Sequence, residues 1–475
     1  MPDHELWNAA VSGLFNLPRV NPVKFPEREI LKQLTSLALP MVISQGAFAL
    51  MIFTDRLFLS MVSPLHMAAG LGGGVASFFC ISLFMGILAY SNALVAQYYG
   101  AGERRQCARV LTQSLILCLG FMPFLALIGF GVSRLFSLMG HAPEQVELEV
   151  SYLTVMLSGA ILALIKMAFA SFFAGTGKTK VVMTGDLVGV VINVPLTYAL
   201  IFGAVGLPEL GIVGAALGTI IGNLVSLLVL AAFYFAPQHR ALYAVARSFV
   251  LDRTILTRYL RLGVPAGFES FLNVAAFNLF LLMFQSYGVV QAASAAIVLN
   301  WDMLTFIPML GLNAAVVSLV GRYVGSGDAD QVGQVMRAGF VLGLGYTSIV
   351  AVTFLVFRAP MVDVFINGDG AEAEAIRQLS VFMMLGLSTY VMADAIIQVA
   401  GGSLRGVGDT LWMMKVSTSL HWLVLVLQVL VIKIWQLGPE VSWMVFVVQL
   451  LSIAGAFSLR LKSGRWRDRL QKSAT

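Results

Sequence analysis

The chain has 475 residues, of which 59% are hydrophobic and only 11% are charged. This composition excludes an ordinary soluble domain, in which about 25% of the residues are charged. Apolar stretches of about 18 or more residues recur along the whole chain, and each is long enough to cross a hydrocarbon core of roughly 30 Å as a helix. The composition therefore predicts an all-α polytopic membrane protein with no soluble domain between its spans.

In chain order, the predicted elements are twelve transmembrane helices. The segment at 1–34 is polar and lacks an apolar core followed by a small-residue cleavage site, so we expect no removable signal peptide and take the first span as the insertion signal. The spans are predicted at residues 35–61, 68–98, 108–131, 149–172, 182–203, 212–236, 260–287, 291–320, 335–357, 376–400, 413–434 and 441–461.

The distribution of the 30 Lys and Arg residues predicts the orientation of the chain. Most of them lie in the amino-terminal segment, in the loops after even-numbered spans and at the carboxyl end. Because basic loops accumulate in the cytoplasm, both termini are expected there. This topology explains the net charge of +6 without a nucleic-acid partner, and the basic tail at 460–472 is interpreted as a contact with anionic lipid. The exceptions are Arg134, Arg358, Arg377 and Lys433 in opposite loops and Arg56 and Lys166 within spans.

No motif for a metal, a nucleotide or covalent catalysis is evident. The cysteines have no CxxC spacing and are expected to be packing residues, and the five histidines form no metal pair at helical spacing. The stretch GTGKT at 175–179 ends like a phosphate-binding loop, but Phe172 occupies the place of the required first glycine. We therefore expect a protein that is not an enzyme and has no cofactor. The three cysteines are Cys80, Cys107 and Cys118.

The chain contains an internal repeat. VAQYYGAGERRQ at 95–106 recurs as VGRYVGSGDADQ at 320–331, and the LALP that ends at Pro40 recurs, at the same shift along the chain, as the LGVP that ends at Pro265. The glycine-rich FFAGTGKTK at 172–180 also resembles GSLRGVGDT at 402–410. With an even number of spans in each half the repeat is parallel, which predicts two pseudo-symmetric six-helix bundles around a central cavity. The predicted units are a cytoplasmic segment at 1–34, an amino-terminal lobe at 35–236, a basic linker at 237–257, a carboxyl-terminal lobe at 258–461 and a cytoplasmic tail at 462–475.

Asp55 interrupts the first predicted span, within SQGAFALMIFTDRLFLSMV at 44–62. A charge near the middle of a bilayer costs about 2.5–3.5 kcal/mol on insertion scales, so a function is expected for it. A carboxylate that faces a wet cavity can bind a proton or a sodium ion. The alternative is an Asp55–Arg56 pair near the outer interface, although adjacent residues point about 100° apart on a helix.

Other polar residues in the spans share helical faces. Asp186, Asn193 and Thr197 form one stripe in the fifth span, which is a plausible partner for Asp55. Apart from residues at their ends, the spans contain five acidic residues but only two basic ones, Arg56 and Lys166, whose side chains are expected to extend toward opposite interfaces. The cavity should therefore be negative and should select organic cations. A single Asn or Gln can instead join two helices by a hydrogen bond. The remaining candidates are Glu269 and Asn273 in the seventh span, Asn300 and Asp302 in the eighth, and Tyr390, Asp394 and Gln398 in the tenth.

From about residue 30 to about residue 460, the sequence resembles the multidrug and toxic compound extrusion (MATE) family, in its NorM-like branch. The resemblance rests on five stretches taken together. They are LALPMVISQ with Asp55 fifteen residues after Pro40, VAQYYGAG, NVPLTYALIFGAVGLPELGIVGAALGT at 193–219, RLGVPAG at 261–267 and DAIIQVAGGSLRGVGDT at 394–410.

The resemblance implies a multidrug efflux antiporter that exports amphipathic, mostly cationic compounds in exchange for inward Na⁺ or H⁺. It implies a bacterial inner membrane, no ATPase subunit and function as a monomer. Asp55 and Asn193 then serve ion coupling in the amino lobe, Asp394 belongs to a carboxyl-lobe cation site, and the first helix bends at Pro40. Na⁺ at Asp394 or Asp55 is one candidate for the coupling ion, with no fixed metal.

The sequence departs from the family pattern in the seventh span. NorM-like relatives often carry a Glu eight residues after the proline, where this chain has Asn273; Glu269, one turn earlier on the same face, is the candidate substitute. Asp302 is an additional carboxylate. The choice between sodium and proton therefore stays open, because sodium requires several oxygen ligands and a proton requires one carboxylate.

Two other functions compete with drug efflux. A flippase of lipid-linked precursors from the same superfamily carries a phosphate-bearing substrate and is expected to have a basic cavity. A receptor or scaffold without transport leaves the cost of the buried carboxylates unexplained.

Overall fold

The computed structural model describes residues 26–138, 142–366 and 370–467. Residues 1–25 of the predicted amino-terminal segment and residues 468–475 of the predicted tail lie outside this description. Within the described ranges the chain is helical and contains no strand.

Twelve long helical elements, numbered here α1 to α12, account for the fold. Eleven of those in the described ranges are single helices long and apolar enough to cross a membrane, and α4 is a pair of helices that meet at 45°. The twelve predicted spans are therefore confirmed. The elements are α1 Arg28–Val62, α2 Pro64–Gly100, α3 Arg104–Leu138, α4 Pro143–Ser158 with Ala160–Gly175, α5 Thr179–Phe202, α6 Gly211–Phe235, α7 Arg253–Gln285, α8 Val289–Gly325, α9 Ala329–Asp363, α10 Ala371–Gly406, α11 Thr410–Ile434 and α12 Pro439–Lys462.

Most helices extend beyond the predicted spans because hydropathy detects only the apolar part of each helix. Their ends follow local capping chemistry instead. Asp252 caps α7 by accepting from the backbone N–H groups of Thr254 and Ile255, and Asp328 caps α9 in the same way. α7 therefore begins at Arg253, inside the stretch predicted as linker.

The predicted fourth span is bent rather than continuous. Its two helices meet at Gly159, which lies against the side chain of Ile220 on α6 with no room for a Cβ atom. Glycine permits this close approach, and hydropathy alone gives no sign of the bend.

Glycines with a left-handed backbone conformation recur at equivalent positions of the two halves. Their positions correct part of the sequence alignment between the halves. Gly102 and Gly327, which have φ of 79° and 76°, are related by the same shift as Pro40 and Pro265. Gly177 and Gly408, with φ of 72° and 81°, are related by a longer shift, because the segment between the third and fifth helices of each half is longer in the carboxyl half. The approximate match of 172–180 with 402–410 is therefore one position out of register with these glycines, although both stretches lie at the end of the fourth helix of their half. Following the predicted division, we call helices α1–α6 the amino lobe and helices α7–α12 the carboxyl lobe.

The two lobes meet toward one face of the molecule. We call this the basic face, defined as the face at which the odd-numbered helices begin. Every hydrogen bond that joins the lobes within the described ranges lies in the half nearer this face, and Phe79 and Phe271 meet near mid-depth with ring centroids 4.8 Å apart. The arrangement closes the molecule at the basic face and leaves the opposite halves of the lobes unjoined by such bonds.

The connection between the lobes packs on the amino lobe. Tyr243 and Val245 are buried in it, and Gln113 of α3 donates to the carbonyl of Val250. Arg109 forms an ion pair with Asp252 at 3.0 Å. The start of α7 is thus anchored to α3.

Candidate functional site

Asp55 lies at the contact between α1 and α6. Its side chain is 6% exposed, and its Oδ2 atom accepts a hydrogen bond from the hydroxyl of Thr219 at 2.5 Å. Its Oδ1 atom is buried without a hydrogen-bond partner. The neighbouring Arg56 is exposed, so the two adjacent side chains do not share one environment.

Asn193 and Thr197 complete this environment from α5. Both are fully buried, and the Asn193 amide donates to the Thr197 hydroxyl at 3.0 Å, while the amide oxygen has no partner. A Cβ atom on Gly222 would lie 2.8 Å from the Cβ atom of Asn193, which shows how closely α6 approaches α5. We define Asp55, Asn193, Thr197 and Thr219 as the amino-lobe acid site.

Asp186 lies apart from this site, although it shares a helical stripe with Asn193. Its Oδ1 atom is 2.9 Å from the Lys166 ammonium and 3.0 Å from the Ser226 hydroxyl, and its Oδ2 atom accepts from Ser44. The expectation that Lys166 extends to an interface is therefore wrong. Its side chain is only 18% exposed, because the ion pair holds it inside the lobe beside a small cavity.

The second acidic site lies in the carboxyl lobe. Asp302 and Asp394 are close enough to repel each other, and Tyr390, which is 2% exposed, interacts with both carboxylates. Thr305 donates to Asp302 at 3.2 Å, and Gln398 lies beside Asp394. We define these five residues as the carboxyl-lobe acid site.

Aromatic packing fixes Tyr390 in this site. Its ring centroid lies 5.7 Å from that of Phe446 in an edge-to-face arrangement and 6.3 Å from that of Trp443. Trp443 is itself held by a hydrogen bond to the carbonyl of Met383. One edge of the acidic site is therefore a rigid aromatic wall.

The other predicted residues of the carboxyl lobe do not join this site. Glu269 pairs with Arg405 of α10 at 3.2 Å, so it has the cationic partner that the sequence did not reveal. Asn273 donates to the Ser417 hydroxyl at 2.8 Å. Asn300 is exposed and donates to its own helix at Ala296.

Sequence reasoning missed Thr219, Thr305 and Ser417. Thr219 and Thr305 are single hydroxyls in apolar stretches, and Ser417 is one of three consecutive hydroxyl residues at 417–419. Such hydroxyls usually bond to a carbonyl of their own helix, so the sequence carries no distinct signal for these three. Thr305 makes such a bond to the carbonyl of Asp302 in addition to its contact with the carboxylate.

The acidic sites offer oxygen ligands rather than a transition-metal site. Within 26–138, 142–366 and 370–467, no group of three or more His, Cys, Asp or Glu side chains is placed to hold a metal ion. The three cysteines are free and buried, as their predicted packing role requires. A proton or a hard cation such as sodium fits the carboxylate, amide and hydroxyl oxygens present.

The amino-acid sequence is similar to those of known proteins. The MatE family model matches residues 40–199 and 265–430. A probable multidrug resistance protein NorM of Pasteurella multocida is 29% identical over 442 residues, which cover 91% of this chain and 93% of that protein. A protein of the same name from Pseudomonas putida is 30% identical over 397 residues, covering 83% and 86%.

Solved structures share the fold. The eukaryotic MATE transporter AtDTX14 superposes with a TM-score of 0.83 at 15% identity, covering 94% of this chain and 98% of that one. A MOP superfamily transporter from Pyrococcus furiosus, described as having a binding pocket of reversed polarity, superposes with a TM-score of 0.82 at 20% identity, covering 94% and 97%. Since the family model spans well over half of the residues, the chain belongs to the MATE family of membrane transporters, in its NorM-like branch.

Proposed function

We propose that this protein is a secondary active multidrug efflux antiporter of a bacterial inner membrane. It exports amphipathic, mostly cationic compounds in exchange for inward Na⁺ or H⁺, and it acts as a monomer. The Pasteurella and Pseudomonas relatives are named as probable multidrug resistance proteins, which supports export of several different compounds. The basic loops support an orientation with both termini in the cytoplasm.

The main support for this proposal is that three carboxylates inside the spans have no cationic partner in the described part of the chain. Asp55, Asp302 and Asp394 take part in none of the ion pairs found among the described residues, whereas Asp186 and Glu269 each have a cation. An uncompensated carboxylate inside a membrane is costly, and binding of a proton, a sodium ion or a drug cation removes that cost. The coupling cation and the drug therefore compete for the deprotonated form.

The closed basic face supports a mechanism of alternating access between an outward-open and an inward-open state. With that face in the cytoplasm, the unjoined halves of the lobes open outward, so a drug leaves and a coupling cation enters from outside. Cation binding then favours the return to the inward-open state, in which the contacts at the basic face separate.

The surroundings of Pro40 support a hinge in α1. Leu34 and Leu37, before the proline, pack with the carboxyl lobe, whereas Ala47 and Met51, after it, pack with the amino lobe. Pro40 has no N–H for an interior helix bond. Bending there changes the angle between two segments that belong to different lobes.

The charges favour a cationic drug over a lipid-linked phosphate substrate. Lys166 and Arg405 are both neutralised by carboxylates, whereas Asp55, Asp302 and Asp394 take part in none of the ion pairs found among the described residues. Expression in a host that lacks its own efflux pumps tests this choice. We expect raised resistance to ethidium, lost on Asp394→Asn; no gain in resistance, together with loss of envelope polymer on deletion of the gene, would instead identify a flippase.

A further inference from the structure

A group of basic side chains at the basic face has no acidic partner among the described residues. Lys178 lies in the turn between α4 and α5, and its ammonium donates to Nε2 of His239 at 2.6 Å. Nδ1 of His239 therefore carries the ring hydrogen, and this atom is buried without a hydrogen-bond partner. We call Lys178 and His239, with the nearby Tyr243 and Arg104, the turn cluster.

The turn cluster carries positive charge that nothing in the described chain offsets. Burial, followed by the charge of Arg104, lowers the pKa of Lys178. Burial, followed by the charge of Lys178, lowers the pKa of His239. No ion pair found among the described residues includes Lys178, His239 or Arg104, so an anion bound beside them would offset the positive charges of Lys178 and Arg104.

Tyr243 adds a buried donor. Its side chain is 1% exposed, its hydroxyl has no hydrogen-bond partner, and the Lys178 ammonium lies 5.9 Å from its ring centroid. Burial raises the pKa of Tyr243 to about 12, so the hydroxyl keeps its proton. The unused groups of the cluster are thus N–H and O–H donors.

The carboxyl lobe has an acidic residue at the position equivalent to Lys178. The shift that pairs Gly177 with Gly408 places Lys178, which precedes α5, at Asp409, which precedes α11. Asp409 is fully buried and forms an ion pair with Arg460 at 2.7 Å. The carboxyl lobe therefore has its own anion where this helix begins, and the amino lobe has Lys178 instead, although neither residue caps its helix through a side-chain hydrogen bond.

We propose that the turn cluster binds a phosphate group, which is either free phosphate or the headgroup of an anionic phospholipid. The bound phosphate occupies the position in the amino lobe that is equivalent to that of the Asp409 carboxylate in the carboxyl lobe. Phosphate accepts several hydrogen bonds at once, which matches the donors of Lys178, His239 and Tyr243. The first turn of α5 adds the positive end of its helix dipole. Arg322 of the carboxyl lobe lies against Gly177 of the same turn, so the bound phosphate adjoins the contact between the lobes.

The test uses the full-length protein in nanodiscs of phosphatidylcholine alone or mixed with phosphatidylglycerol. Lipid retained by the protein is measured by native mass spectrometry, and the melting temperature is measured with added inorganic phosphate or with chloride at equal ionic strength. The site variant combines Lys178→Met with His239→Leu. The control combines Lys180→Met with Arg240→Gln, which changes two exposed basic neighbours.

We expect the wild type and the control to retain phosphatidylglycerol about tenfold more than the site variant, since charge-assisted hydrogen bonds are lost only there. Stabilisation by phosphatidylglycerol but not by inorganic phosphate identifies a lipid headgroup, and stabilisation by both identifies phosphate itself. If the site variant does not fold, Lys178→Gln alone takes its place. Equal retention by all variants, with no response to phosphate, would overturn the proposal.

Discussion

Gln97 and Arg322 occupy equivalent positions of the repeat, and each bonds across the lobe boundary to the glycine that ends the fourth helix of the opposite lobe. The Gln97 amide donates to the carbonyl of Gly406 at 2.8 Å, and Nε of Arg322 donates to the carbonyl of Gly175 at 3.4 Å. The closed basic face is therefore held by a nearly two-fold pair of bonds. Only one member is charged, and its guanidinium lies 4.9 Å from the ring centroid of Tyr99.

Arg322→Ala is expected to open the basic face. It removes a charge-assisted hydrogen bond and a cation–π contact, which together contribute about 1.5–3 kcal/mol to the closed state. The measurement is the distance between spin labels at Lys180→Cys and Leu411→Cys, two exposed residues on opposite lobes, in a background without the native cysteines. We expect the distance distribution to move toward longer values.

The matched control for this opening is Arg337→Ala, which removes an exposed arginine from α9. It should leave the distribution unchanged. If Arg322→Ala also leaves it unchanged, the bond to Gly175 does not hold the closed state.

The Lys166–Asp186 pair is expected to be structural. Lys166→Met leaves Asp186 without its cation and should reduce the free energy of unfolding by about 3 kcal/mol. Adding Asp186→Asn removes the orphaned charge and should restore most of that loss. Thermal unfolding of the two single variants and the double variant measures the coupling, and a double variant no more stable than Lys166→Met would contradict the assignment.

Thr219→Val is expected to reduce drug efflux without unfolding the protein. It removes the donor to Asp55 at 2.5 Å while keeping the shape of the side chain, so the deprotonated carboxylate loses a hydrogen bond worth about 1.5–3 kcal/mol. Ethidium efflux from vesicles should fall about tenfold. Thr353→Val, which removes an exposed hydroxyl bonded to its own helix, should have no effect.

Asp302→Asn is expected to raise the melting temperature and to weaken coupling. The substitution relieves the repulsion between Asp302 and Asp394 and removes one of the two carboxylates that would share a cation. The melting temperature and gradient-driven efflux are measured on the same preparation. Asp330→Asn at the exposed start of α9 is the control, and a loss of stability in Asp302→Asn would show that a bound cation already compensates the pair.

The spans, the repeat and the acidic residues could be predicted from the sequence, because each depends on hydropathy or on order along the chain. The sequence places Asp186, Asn193 and Thr197 on one helical face, yet Asp186 pairs with Lys166, and Asn193 and Thr197 lie at the amino-lobe acid site. Helical periodicity predicts which residues share one face of a helix. It does not predict which neighbouring helix packs against that face at each depth in the membrane.

The partner of Glu269 was missed for the same reason. Arg405 lies near the end of α10, beyond the predicted tenth span and far from Glu269 in sequence. A long arginine side chain can extend from a helix end to a carboxylate deeper in the lobe, and only the packing of α7 on its neighbours shows that it does.

The central claim is that Asp55 and Asp394 couple drug export to an inward cation gradient. Its most direct test is ethidium efflux from proteoliposomes under an imposed sodium gradient and, separately, an imposed pH gradient, for the wild type, Asp55→Asn and Asp394→Asn. We expect at least one gradient to drive efflux by the wild type and both substitutions to abolish it, which also identifies the coupling ion. If neither gradient moves ethidium through correctly inserted wild-type protein, or if both variants transport it at the wild-type rate, the claim is contradicted.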